Sequence, residues 1–402
     1  MSTIKIAILH HALGRFGGGE KMTILHSIYL EKLGFEVELF YDGPLHPDWK
    51  ERAYLNMPLE ILPFGLARSV KGFRKIEKLL KRLKSFDAIL VHHHIDPFLA
   101  YYLTIFLKSK LIWYCGEPLR PLWESWLSGM DYRELSGTVK PTAMECYGKS
   151  FTSIFLSNQL YDFSTSFLRA LDKTTAQHYR TVIANSNYTK RVVERIYGID
   201  KPIPVIHPGV ETPQYAQGTA SEESGNYILA VGAMIPMKNY SNILKAFYSL
   251  PRQCQSKVKL LIIGSGPLES TIRSQAHKLN LKNAVFQSSV NEQILNSYYS
   301  NCSFVVHIAL NEPFGLVPVE AALHGKPSIV SNNGGSSEFV IHGENGLLVN
   351  PHSQNDIANA MEYLIKDEKL TAEMGFKAKD RALKEFTIEK STENLARAIK
   401  IL

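Results

Sequence analysis

At 402 residues, 45% of them apolar, the chain is long enough for two ordinary domain cores, and it is expected to be a soluble two-domain protein. Cys115, Cys146, Cys254 and Cys302 show neither Cys-x-x-Cys pairing nor metal-ligand spacing, which excludes a disulfide scaffold and predicts free thiols in a reducing compartment. The 45 basic and 38 acidic residues give a net charge of +7, and the excess is concentrated rather than spread.

In chain order, Met1 to Leu9 reads as a short buried strand rather than a charged region followed by a signal-peptide core. Gly14-Arg15-Phe16-Gly17-Gly18-Gly19-Glu20 follows it and opens a helix, so backbone at Gly17 and Gly18 can approach a phosphate closely. It lacks the Gly-Lys-Ser/Thr end of a Walker loop; a plain tight turn with Glu20 capping the helix is the other reading. From Arg68 to Lys84, basic residues face one acid, Glu77, while Val70, Phe73, Ile76, Leu79, Leu80 and Leu83 recur at helical spacing. Such a basic amphipathic helix can rest on an anionic membrane surface or pack on the sheet as an ordinary surface helix. No recognised nucleic-acid-binding module accompanies the charge.

His92-His93-His94 ends a strand, and because successive strand side chains alternate faces, the three cannot converge on one metal. The apolar run Phe98 to Leu107 is far shorter than the ~20 residues that span a bilayer and predicts a buried helix. Strand candidates in this half are Ile4 to Leu9, Glu36 to Phe40, Ala88 to His92, Leu111 to Cys115, Thr181 to Ala184 and Pro204 to His207. Gln214 to Asn226 is polar and aperiodic, the natural linker. Beyond it, Tyr227 to Gly232, Lys259 to Ile263, Ala284 to Phe286, Phe304 to His307, Ser328 to Val330 and Gly346 to Val349 alternate with helices. The pattern predicts an α/β protein of two Rossmann-like doubly wound domains, residues 1–212 and 227–385, joined by a linker at 213–226. Ligands of such sheets bind beyond the carboxyl ends of the strands, so two doubly wound domains are expected to face each other across a cleft.

Asn311-Glu312-Pro313-Phe314-Gly315-Leu316-Val317-Pro318-Val319-Glu320 hangs two carboxylates on a loop-to-helix junction. Glu312, before a proline, should be extended, and a helix starting near Gly315 carries Glu320 further along. Between the acids, the N–H groups of Phe314, Gly315, Leu316 and Val317 and the positive helix end suit a diphosphate, with no Cβ at Gly315 to obstruct it. A capped helix with two solvated acids is the plainer alternative.

This Glu-x7-Glu junction resembles the signature of retaining glycosyltransferases of the GT-B fold, specifically family 4 (glycosyl transferases group 1), which includes bacterial mannosyl- and glucosyltransferases. The resemblance extends through Ile4 to Glu20, Ile183 to Lys190, Val205 to Val210, Val231-Gly232 to Lys238-Asn239, Ile263 to Pro267, Gly334 to Glu338 and Gly343 to Gly346, in the family's order. It implies that residues 1–212 bind the acceptor and residues 227–385 the nucleotide sugar, and that the last helix, residues 386–402, crosses back to the first domain. It also implies that Lys238 stabilises charge on the departing diphosphate, that Glu320 holds the ribose hydroxyls, and that Glu312 with the Phe314 and Gly315 amides holds the transferred sugar. The usual Arg after the glycine is Ala233 here, and Arg15 or Arg120 stand as substitutes.

His94 is the nearest match to a family His that touches the donor sugar. Glu117, Arg120 and Trp123 match a segment that either contacts acceptor or packs a loop, with Gly116 where the family has His. The implied reaction moves a hexose, from GDP-mannose or a UDP-hexose, onto a glycan or lipid-linked glycan with retention. It takes place in the cytoplasm or at the inner face of the membrane and uses no cofactor; without an Asp-x-Asp motif, no essential metal is expected. A non-catalytic sugar-nucleotide or glycan-binding protein and a sugar-nucleotide epimerase are the rival readings.

Overall fold

The computed structural model describes residues 3–14, 17–42, 45–46, 59–61, 70–119, 122–123, 158–213 and 226–401. Arg15, Arg120, Cys146 and nearly all of the expected linker lie outside them. The chain forms two compact units, Met1–His207 with Ile388–Leu402, and Pro208–Thr387.

The first unit runs β1 (Lys5–Ala12), α1 (Gly18–Lys32), β2 (Glu36–Asp42), β3 (Leu59–Ile61), α2 (Val70–Leu83), β4 (Ala88–His92), α3 (Pro97–Leu107), β5 (Leu111–Cys115), α4 (Asn158–His178), β6 (Thr181–Ala184) and α5 (Asn187–Tyr197). The second runs β7 (Tyr227–Val231), α6 (Tyr240–Tyr248), α7 (Arg252–Gln255), β8 (Lys259–Ile263), α8 (Glu269–Lys278), β9 (Ala284–Gln287), α9 (Glu292–Asn301), β10 (Phe304–His307), α10 (Val317–Leu323), β11 (Ser328–Ser331), β12 (Gly346–Val349), α11 (Gln354–Lys366) and α12 (Glu368–Glu385). The final helix, α13 (Ile388–Lys400), belongs to the first unit.

Both sheets are wholly parallel and share one topology, β3-β2-β1-β4-β5-β6 and β12-β11-β10-β7-β8-β9. Strand order therefore reverses between β1 and β4, and again between β7 and β10, which opens a crevice at those carboxyl ends. β1 is apolar throughout its middle because helices cover both faces. Ala7 and Leu9 join a core with Ile76, Leu79 and Leu83 of α2 and Leu99 and Leu103 of α3, while Ile6 and Ile8 join Ile24 and Ile28 of α1 and Leu395 and Ile399 of α13. Local signals set the helix starts. Asp96 accepts from the Phe98 and Leu99 amides ahead of Pro97 in α3, and Ser186 accepts from Thr189 in α5, which a left-handed Gly198 closes.

Three expectations change. Residues 204–207 form no strand, only a bridge from Val205 to Ala184, because Pro202, Pro204 and Pro208 supply no ladder donors. The short β3 was not anticipated; it spans only Leu59–Ile61. Most important, α3 is not fully buried: Tyr101, Ile105 and Phe106 are 37%, 54% and 56% exposed.

A buried hydrogen-bonded chain ties α13 to the sheet. Ser391 Oγ donates to the His207 carbonyl at 2.6 Å and lies 3.0 Å from His26 Nε2, and His26 Nδ1 lies 2.9 Å from His92 Nε2. Thr23 Oγ1, 2.9 Å from His92 Nδ1 and 3.0 Å from the Gly19 carbonyl, completes the run. Both rings are neutral: burial, with neighbouring imidazoles, holds His26 down to about 3 and His92 well below the ordinary value.

A histidine depressed in the folded state contributes stability that is complete above its unfolded value of 6.5 and is lost as pH falls towards the folded one. Urea denaturation is therefore expected to show about 2 kcal/mol less stability at pH 5 than at pH 7.5 from His26 alone. His26→Gln should flatten that dependence, and an unchanged slope would remove His26 as its source.

Candidate active site

The second unit gathers its polar groups at the carboxyl ends of β7 and β10. Lys238 closes a 3-10 turn, Pro236–Lys238, just before α6, and Leu310 N–H donates to the Met237 carbonyl at 2.7 Å, pinning that turn to the loop after β10. Across this junction Lys238 Nζ donates to Glu312 Oε2 at 2.7 Å, with side chains only 16% and 13% exposed. Tyr240 OH donates to the Gly232 carbonyl, and its phenol is pushed up by burial and then by Glu312.

Close backbone approach builds this junction. Gly264 (φ 150°) has no room for a Cβ, which would sit 2.1 Å from the Gly232 carbonyl oxygen, and a Cβ on Gly335 would sit 2.0 Å from that of Pro313. The Gly335 N–H donates to the Glu312 carbonyl at 2.7 Å. Phe314 turns its ring into the core against Phe386 (centroids 5.9 Å), leaving its backbone as the part available to the site.

The helix begins at Val317, two residues later than expected, because Gly315 is left-handed (φ 82°) and cannot belong to its first turn. Glu320 thus lies in that first turn, where a carboxylate is favoured, and the helix start has no side-chain cap. Tyr299 OH on α9 donates to Glu320 Oε2 at 2.8 Å and orients it; burial, then Glu320, raise the tyrosine.

Sequence reasoning missed Tyr299, His307 and Ser336. His307, 4% exposed at the end of β10, and Ser336, 1% exposed, both face the position of a Cβ on Gly315, which would lie 3.2 Å from His307 Nε2 and 2.7 Å from Ser336 Oγ. Neither atom has a hydrogen-bond partner among the described residues. Burial, then Lys238, lower His307 to about 4 against the pull of Glu312, so it is neutral near pH 7. The one sequence signal was a histidine ending an otherwise apolar strand.

In the first unit, Gly17 is the extended residue before α1, and Gly18 and Gly19 are its first residues. Glu20 folds back, its Oε2 2.5 Å from where a Cβ on Gly17 would be. The histidine triplet divides because the strand ends at His92 and His93 turns left-handed. His92 enters the buried chain described above, and His94 lies 5.7 Å from the His11 ring with its own pKa pressed to about 3 by burial and neighbouring imidazoles.

His93, left-handed at φ 64°, fills the space beside Gly19 and Gly116: a Cβ would meet His93 Nε2 at 2.9 Å from Gly19 and Nδ1 at 1.9 Å from Gly116. The imidazole beside Gly116 therefore comes from His93, not from residue 116. Glu117 is half-buried near it and pulls its pKa upward against burial. Trp123 turns into the core rather than outward. It is 5% exposed in the core, its indole N–H given to Asp172 Oδ2 at 2.7 Å, because the buried Asp172 needs both that donor and Tyr197 OH. Among the described residues, no group of His, Cys, Asp or Glu is placed to hold a metal ion.

Gly315→Ala is expected to cost about 1–2 kcal/mol in urea denaturation from left-handed strain, with a further loss from the Ser336 contact. Ser336→Gly should relieve only that second part. A neutral Gly315→Ala would show that the loop tolerates a side chain.

Comparison with known proteins gives two family models that abut along the chain: Glycosyltransferase Family 4 over residues 16–214 and Glycosyl transferases group 1 over residues 211–381. The alpha-1,3/1,6-mannosyltransferase ALG2 of Dictyostelium discoideum is 25% identical over 99% of this chain and 98% of its own length. D-rhamnosyltransferase WbpZ of Pseudomonas aeruginosa is 27% identical over 63% of this chain and 65% of its own. D-inositol 3-phosphate glycosyltransferase of Corynebacterium aurimucosum is 30% identical over 50% of this chain and 52% of its own. Among solved structures, Anabaena Alr3699/HepE in complex with UDP and glucose aligns with a TM-score of 0.75 at 19% identity, covering 99% of this chain and 100% of that one. Sucrose-phosphate synthase from Thermosynechococcus elongatus aligns at 0.73 and 18%, covering 99% and 98%. The chain belongs to the family 4, group 1 glycosyltransferases and has their GT-B fold.

Proposed function

We propose that this glycosyltransferase moves a hexose from a nucleoside diphosphate sugar to a glycan or lipid-linked glycan with retention of anomeric configuration. The observation that carries the reading is the Lys238–Glu312 pair at the strand-order reversal of the second unit, with Glu320 held by Tyr299 one helical turn into α10. When the glycosidic bond to the donor breaks, negative charge grows on the diphosphate, and a cation preset beside it lowers the barrier more than it strengthens ground-state binding. Lys238 is that cation. Ala233, exposed after Gly232, brings no second charge.

Glu312, released from Lys238, is free to accept hydroxyl protons of the sugar, and the loop from Phe314 to Val317 meets the diphosphate with backbone. The second oxygen of Glu320 takes the ribose. The departing phosphate accepts the acceptor proton as attack proceeds on the same face, so neither acid acts as a nucleophile. By the family resemblance, donor binding is also assigned to Gly17 and Gly18, and sugar or acceptor binding to His94, Glu117 and Arg120. No step requires a metal.

Two bases for the donor are supported from different sides. The mannosyltransferase name of the full-length relative favours GDP-mannose, and the UDP and glucose in the Anabaena structure favour a UDP-hexose. Buried free Cys115, Cys254 and Cys302 agree with the reducing cytoplasm. No described helix is long and apolar enough to cross a membrane.

A thermal-shift screen of GDP- and UDP-sugars, followed by donor hydrolysis without acceptor, tests the reading. One sugar nucleotide should stabilise the protein and be hydrolysed slowly; stabilisation with no hydrolysis or transfer would favour a non-catalytic binding protein. Lys238→Ala should lower turnover ~10²–10³-fold with a smaller change in donor affinity, measured by steady-state transfer and direct titration. Glu320→Ala should instead weaken donor binding by ~1.5–3 kcal/mol. Unchanged affinity and turnover in the second variant would remove the ribose assignment.

A further inference from the structure

Among the described side chains of α2, Ile76, Leu79 and Leu83 are spent in the core of the first unit and are not available to a lipid surface. The exposed apolar surface lies on its neighbour. α3 packs against both α2 and α4. Its inward face, Leu99, Leu103 and Leu107, is buried, while Tyr101, Ile105 and Phe106 face outward, with Phe167 of α4 52% exposed nearby and its ring 6.2 Å from that of Phe98. Scattered exposed apolar residues are ordinary, but three on one helix beside a fourth on the next make a patch.

Lysines outnumber acids around this patch, where the exposed acids are Glu77 of α2 and Asp87, which accepts from the Lys5 N–H. Lys108 follows directly on α3, and Lys78, Lys81 and Lys84 are exposed on or just after α2, none of them ion-paired among the described residues. Arg82 is different: it is engaged by Glu38 and lies over Phe40.

We infer that the outward face of α3 docks on an anionic lipid surface, with Tyr101, Ile105 and Phe106 seated at the headgroup boundary and the α2 lysines and Lys108 against lipid phosphates. Charge complementarity selects this occupant. A second copy meeting the same patch by twofold symmetry would set lysine rim against lysine rim, which is repulsive, whereas an anionic bilayer attracts every lysine of the rim and accepts the aromatic and aliphatic groups at its centre. Long lysine side chains reach outward to the headgroups while their methylenes lie along the apolar strip. The inference does not depend on the transfer reaction, and vesicle binding is read without donor or acceptor.

The test is sedimentation of the full chain with vesicles of phosphatidylcholine, with and without phosphatidylglycerol, at low and high salt. The wild type should bind the anionic vesicles and release as salt rises. Ile105→Ser with Phe106→Ser should weaken binding by roughly a hundredfold. Lys81→Glu with Lys108→Glu should weaken it about tenfold or more and remove the salt dependence. Unchanged thermal melting of the variants and an unchanged response to the stabilising sugar nucleotide show that they are folded. Absence of wild-type binding, or wild-type affinity in the Ile105/Phe106 variant, overturns the proposal. Sedimentation velocity covers the competing occupant: a concentration-dependent dimer abolished by the Ile105/Phe106 change would reassign the face to contact between copies.

Discussion

Lys238 and Glu312 meet because backbone meets backbone behind them. The loops after β7 and β8 touch where Gly264 lies against the Gly232 carbonyl, and the loops after β10 and β11 touch where Gly335 lies against Pro313. The Leu310 to Met237 hydrogen bond joins these two fused pairs into one surface. A side chain at either glycine would push the loops apart by about 1 Å, enough to stretch the contact that brings the ends of the ion pair together. The glycines of the second unit therefore position charge even though they carry none.

Stability alone does not account for the pair, since two charges mostly withdrawn from water recover little more than their desolvation cost. Its consequence is electrostatic readiness. With Lys238 engaged by Glu312, the site holds its cation in place without a ligand, and an anion arriving beside Lys238 competes with a carboxylate that is itself suited to hydroxyl groups. His307 adds a neutral imidazole beneath Gly315, kept uncharged by burial and by the lysine, so no further positive charge opposes that exchange.

The first unit treats its basic groups in two ways. His26 on α1 and His92 at the end of β4 are driven neutral by burial and tie α13 to the sheet through hydrogen bonds, while lysines on α2 and after α3 remain outside. A net charge of +7 is thus a property of surface, not of the buried polar chain.

Much of this was readable from residue order. Apolar runs such as Ile6 to Leu9 predict parallel strands buried on both faces, and the Glu312 to Glu320 spacing predicts a loop-to-helix junction, because both depend on neighbours a few residues away. Local chemistry also accounts for residues 204–207, where the flanking prolines override the apolar pattern. Other features had no local signature. Tyr299 reaches Glu320 from another helix, His93 takes the space left by Gly19 and Gly116, and Trp123 turns inward to a buried Asp172. The α3 sequence is apolar on every side, so periodicity offered no means of telling its covered face from its open one. The sequence by itself determined the class of the fold and the residues able to do chemistry, since those follow from composition and short-range pattern. Which of them share a site, which are consumed by the core and which face remains uncovered was decided only by the tertiary structure, because those outcomes depend on contacts between segments far apart along the chain.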